Sequence, residues 1–158
     1  MTVPLDLAAA VQDRLRDKIP AFSLPDIKGE TDFAKLVAEK RLPQRLPAAF
    51  VLSTGWNATY QRRVGAVSHD IAQGVAVVLV QSHAGDASGD KARASVWPLE
   101  LAVVTALAGW SPATGYAAFA ATESRLQGLG SAGAAGAVAS TLSFVTEWKL
   151  HAHAKESP

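Results

Sequence analysis

Leu7, Val11 and Leu15 recur at every fourth position, with Ala8 and Ile19 beside them. That spacing puts one apolar stripe on a helix. Thr2 is its expected cap, Pro4 its expected entry, and Pro20 its stop. Pro25, Gly29, Pro43 and Pro47 then punctuate a polar connection. Within it, residues 32–40 set Phe33, Leu36 and Val37 on one side and predict a short helix. The run "PAAFVLS", 47–53, is apolar between a proline and Gly55, so it predicts a strand. "TGWNATYQRRVG" reads as a long polar and aromatic connection. In "AVSHDIAQGVAVVLVQS", 66–82, the last part is continuously apolar and β-branched, as in a strand covered on both faces. Together these segments predict a long hairpin with a buried base and a tip carrying Trp56, Tyr60, Arg62 and Arg63.

Past the turn "HAGDASGD", 83–90, the helical period runs from about 88 to 108, with Val96, Val103, Val104 and Leu107 on one side. Pro98 must start or kink that helix, and residues 98–108 are its expected firm part. In "ALAGWSPATG", 106–115, Gly109 stands where a helix-ending glycine belongs and Pro112 follows closely. Gly109, Trp110 and Pro112 therefore form an expected hinge, with Trp110 folding back as an apolar anchor. Residues 116–126 are a weaker strand, and 128–136 a flexible connection. In 141–150, Leu142, Phe144, Thr146, Trp148 and Leu150 alternate with Ser143, Glu147 and Lys149, with Val145 a mild break. That predicts a strand with one buried face. The whole reads as a single α+β domain over 1–150: an antiparallel sheet of about four strands with two main helices packed on it. Residues 151–158 read as a flexible polar tail.

Composition narrows the classes. The chain has 158 residues, 49% of them hydrophobic and 18% charged, enough to bury one core. There is no cysteine, which excludes disulfides, cysteine nucleophiles and thiolate metal sites. A net charge of +1 gives no argument for nucleic acid. The N-terminus lacks the layout of a signal peptide, and no apolar run is long enough for a membrane helix. Charge is uneven, however. Residues 40–63 hold Lys40, Arg41, Arg45, Arg62 and Arg63 with no acid, whereas 101–146 hold only Glu123 and Arg125. A near-neutral half is expected either as a small-residue core or as surface that meets other protein.

The motifs with catalytic or cofactor associations fail their context. Gly128, Gly130 and Gly133 match G-x-G-x-x-G but lack the flanking strand, helix and later acid, so they read as a hairpin loop. His83, Asp86 and Asp90 are too few ligands for a metal, and Asp86 or Ser88 reads instead as a helix cap. Ser53, His69 and Asp70 have the residue types of a hydrolase triad, but no nucleophile elbow surrounds the serine. Neighbours on a strand also point to opposite faces. His151 and His153 read as solvated. No catalytic residue, cofactor or metal is expected. Basic residues with Trp56 and Tyr60 suit either stacked bases or, preferably, another protein surface. Trp56, Asn57, Tyr60, Arg62, Arg63 and His69 are the candidate interface residues.

The order of segments resembles a known family. A P-A-x-x-V strand in "LPAAFVLSTGWNA" leads into a long hairpin, and a V-V-L-V strand ends in the D-x-x-G-D turn of "HAGDASGDKA". A helix then closes in L-x-G-W-x-P, followed by "ESRLQGLG" and the aromatic strand "STLSFVTEWKL". This ordered set resembles the tail terminator proteins of tailed bacteriophages. The resemblance implies a non-enzymatic subunit of a ring, usually hexameric, that caps the tail tube, ends its growth and joins the head connector. It implies as partners further copies of the chain, the tube protein and the connector, with no membrane, and nucleic acid only passing through the lumen. It implies a place in the virion, at the head-proximal end of the tail, after assembly in the host cytoplasm. The alternatives are another head–tail joining or minor tail assembly protein, or a small nucleotide- or nucleic-acid-binding domain.

Overall fold

A computed structural model describes residues 5–153 except 84, 86, 87 and 130–135. The chain runs α1 (Leu7–Lys18), β1 (Asp26–Lys28), α2 (Glu30–Glu39), β2 (Ala48–Arg63), β3 (Ala66–Ser82), α3 (Asp90–Leu107), β4 (Ala120–Gly128) and β5 (Ala137–His153). The sheet has five strands in the order β1-β2-β3-β5-β4. β1 runs parallel to β2, and every other pairing is antiparallel.

The α+β class is as expected, and the sheet gains one strand. The addition is β1, whose three residues are too few to show a period and bury only Ile27. α1 follows its stripe: Leu7, Val11 and Leu15 are buried. Its cap is Asp6 rather than Thr2, since the Asp6 carboxylate accepts the Ala9 N–H. Thr2 and Pro4 lie outside the described residues. α3 begins at Asp90 and passes through Pro98, which sits inside the helix and does not start it.

The sheet is covered on both faces. On the first face, α1 and α3 pack over Ala49, Val51, Val75, Val77, Leu79, Leu142 and Phe144. On the second, α2 lays Phe33 and Leu36 against Ala48, Phe50, Val78 and Val80. The continuous apolar run of β3 is thereby explained: odd positions feed one core and even positions the other. Arg14 ties α1 to α3, its Nε donating to the Ala106 carbonyl at 2.9 Å near the C-terminus of α3. This carbonyl lies in the last turn of α3, where helix carbonyls run short of intrahelical donors.

Two boundaries differ from expectation. The weak strand at 116–126 is displaced: β4 starts at Ala120, and Tyr116 makes one isolated bridge to Trp148. β5 continues past 150, so His151 and His153 are not in a tail but pair with Ser68 and Ala66. Outside the core both faces of that strand meet solvent, and the alternation that marks a strand fades.

Candidate assembly surface

β2, β3 and β5 are longer than the helices that cover them. Beyond Val145, which pairs with Ala120, no β4 lies beside β5. The three strands continue as a ribbon to the turn at Val64 and Gly65. From Gly74 to Ala66 the ribbon spans roughly 26 Å at the usual rise per residue. The segment 54–63, expected as a connection, is thus the outer half of β2.

A bulge decides what this ribbon displays. Ser53 pairs with Val75 and Gly55 with Gly74, leaving Thr54 as an extra residue. Before the bulge, even positions of β2 face α2, as Ala48 and Phe50 do. After it, even positions move to the other face. Trp56 then lies opposite Gln73, Ala58 opposite Ile71, Tyr60 opposite His69 and Arg62 opposite Val67. In the third strand the same rows continue with Thr146, Trp148, Leu150 and Ala152. One face therefore gathers Trp56, Tyr60, His69, Trp148 and Leu150. Trp56 is 69% exposed, Tyr60 62% and Leu150 44%. Exposed apolar side chains gathered in this way make the face a candidate contact surface.

Local contacts hold the patch in shape. The Trp148 indole N–H donates to the Gln73 side-chain oxygen at 3.1 Å. The Tyr60 and His69 rings lie 6.2 Å apart, and the Arg62 guanidinium stands 5.8 Å above the Tyr60 ring. Among the described residues no ion pair involves Arg62 or Arg63. Asn57 and Arg63 lie on the reverse face, opposite Ala72 and Ala66. Of the six expected interface residues, the fold gathers Trp56, Tyr60, Arg62 and His69 on one face and sets Asn57 and Arg63 on the other. Trp148 and Leu150 complete the patch. Their alternation was readable in the sequence, but their exposure depends on where the helices end.

The remaining candidates are dispersed. Ser53 pairs with Val75, six positions along β3 from His69, and Asp70 faces the opposite side, 3.5 Å from the Lys149 ammonium. His83 Nε2 lies 3.2 Å from the Ser95 hydroxyl, and Asp90 opens α3. At its start the N-cap position is Gly89, the Ser88 hydroxyl accepts the Asp90 N–H at 3.3 Å, and Asp86 lies outside the described residues. Gly128 ends β4, while Gly130 and Gly133 also lie outside the described residues. No described helix is long and apolar enough to cross a membrane.

At the end of α3, Gly109 takes φ +80° and its N–H donates to the Phe119 carbonyl. Trp110 is half-buried, stacks on Phe119 at 5.9 Å and receives the Arg14 guanidinium at 5.1 Å. Pro112 follows in a bend before β4.

The arrangement is a two-sided sheet domain with a projecting aromatic and basic arm, and comparison with known proteins places it. The sequence profile of the family described as phage tail terminator protein matches residues 1–153. The chain belongs to this family. Membership gives the terminator chain a structural role in a phage-type tail. A chain from the virion of a native gene transfer agent (GTA) particle has the same fold, with a TM-score of 0.58 at 15% identity. The match covers 91% of this chain and 95% of that one. No curated protein matches the terminator chain.

Proposed function

We propose that this chain is the subunit of a ring, a hexamer, that caps the tail tube, ends its polymerisation and provides the joint to the head connector. The role is structural and not catalytic, and its place is the head-proximal end of the tail in the virion. One observation carries the reading: a ribbon leaves the body with Trp56 and Tyr60 exposed and, near its turn, two arginines that make no ion pair among the described residues. A monomer gains nothing from such an arm, whereas interfaces favour Trp, Tyr and Arg. The turn of the ribbon reaches toward the ring lumen or the end of the tube. A ring also requires two unlike patches on each subunit, so that one contact repeats head to tail until it closes.

Light scattering on the purified chain, alone and mixed with tail tube protein, tests the reading. The expected result is a mass of one ring, or tubes of defined length carrying a ring at one end. The triple variant Trp56→Ser, Arg62→Glu, Arg63→Glu is expected to leave tubes uncapped and overlong by electron microscopy. Unchanged capping by that variant overturns the role of the ribbon. A chain that stays monomeric and never joins tubes overturns the ring.

A further inference from the structure

α2 has no buried residue and is held only by half-buried side chains such as Phe33 and Leu36. On its solvent side Glu30, Ala34, Val37 and Ala38 follow one another at helical spacing, and Val37 is 62% exposed. Glu30, at the start of this stripe, takes part in no ion pair among the described residues. The ribbon carries the mirror pattern: Trp56, Ala58 and Tyr60 lead to Arg62 on one face, and no acid lies anywhere in 40–63. One stripe is apolar and ends in a carboxylate. The other is apolar and ends in a guanidinium.

These stripes do not meet within one chain. α2 sits at the buried base of β2, where the Phe33 and Phe50 rings lie 5.4 Å apart. Tyr60 is ten positions further along the same strand, roughly 33 Å away at the usual rise. We infer that the ribbon of one copy lies on α2 of the next, with Tyr60 and Trp56 against Val37, and Arg62 facing Glu30. The inference rests on the ring reading above and supplies its contact. The two surfaces are unlike and far apart, as a head-to-tail contact requires. The aromatics supply the anchors, and the opposite charges set orientation and suppress other registers.

The absence of cysteine makes the test clean. A chain carrying both Tyr60→Cys and Val37→Cys, oxidised in the assembled state, is expected to give a ladder of disulfide-linked copies. Neither single variant is expected to give one. Reversing the ribbon charge with Arg62→Glu is expected to weaken association about tenfold, and adding Glu30→Arg is expected to restore it. All these positions are exposed, and a thermal melt checks that each variant is folded. Rings of full mass in which the double-cysteine chain gives no ladder overturn this contact while leaving the ring intact. A linked dimer from Tyr60→Cys alone, or linkage to the tube protein only, overturns it too. A chain that forms no ring at all defeats the ring reading itself.

Discussion

The Thr54 hydroxyl oxygen occupies the space in which a Cβ on Gly74 would lie, 2.1 Å away. The residue that the bulge leaves unpaired on β2 thus packs against a glycine on β3. Gly74→Ala is expected to cost about 1–3 kcal/mol, because the Thr54 side chain must be displaced. Adding Thr54→Ala relieves the clash, so the double variant should be more stable than the sum of the single losses. Chemical denaturation of the four proteins measures the coupling. Additive losses would show that the bulge and Gly74 are independent.

How far this site was legible follows from the same pair. Leu7, Val11 and Leu15 announced their helix because each meets one core on one side. The alternation of Leu142, Phe144 and Thr146 announced β5 for the same reason. Beyond the core these constraints lapse, and residues 54–63 and 151–153 are in strands without looking like strands. A bulge leaves no compositional mark, so the reversal at Thr54 was invisible, and with it the gathering of Trp56 and Tyr60 beside Trp148 and Leu150. The arginines and aromatics could be listed from sequence; which of them share a face could not.

Gly109 and Trp110 separate backbone from side-chain effects. No atom lies within 4 Å of a Cβ built on Gly109, yet its φ is +80°. Gly109→Ala is therefore expected to cost about 1 kcal/mol through conformation alone. Trp110→Ala removes the Phe119 stack and uncovers Arg14 together, and about 2–3 kcal/mol is expected for a half-buried tryptophan. Trp110→Phe should recover most of that loss. Melting curves for the three variants check the order.

Ser140 is fully buried and donates its hydroxyl hydrogen to the Glu100 carboxylate across the α3–β5 contact. Glu100→Ala strands that hydroxyl in the core, at an expected cost of about 1–3 kcal/mol. Glu100→Gln keeps an acceptor and should cost less. Ser140→Ala removes the donor, and its double variant with Glu100→Ala should be no worse than Glu100→Ala alone. A double variant that loses the full sum would show that the two side chains act independently.

The ribbon should uncouple stability from assembly. Trp56 and Tyr60 are mostly exposed, so Trp56→Ser and Tyr60→Ser are expected to shift stability by no more than about 0.5 kcal/mol each. Ile71 lies between them, on the central strand opposite Ala58, and is only 6% exposed. Ile71→Ala is expected to cost about 2–4 kcal/mol, because it opens a cavity under the aromatic row. The exposed pair should instead abolish association while the melting temperature holds. Light scattering and thermal denaturation on the same samples separate the two effects. A large loss of stability from Trp56→Ser would mean that the ring covers core and not contact surface, and that the arm serves the fold of its own chain.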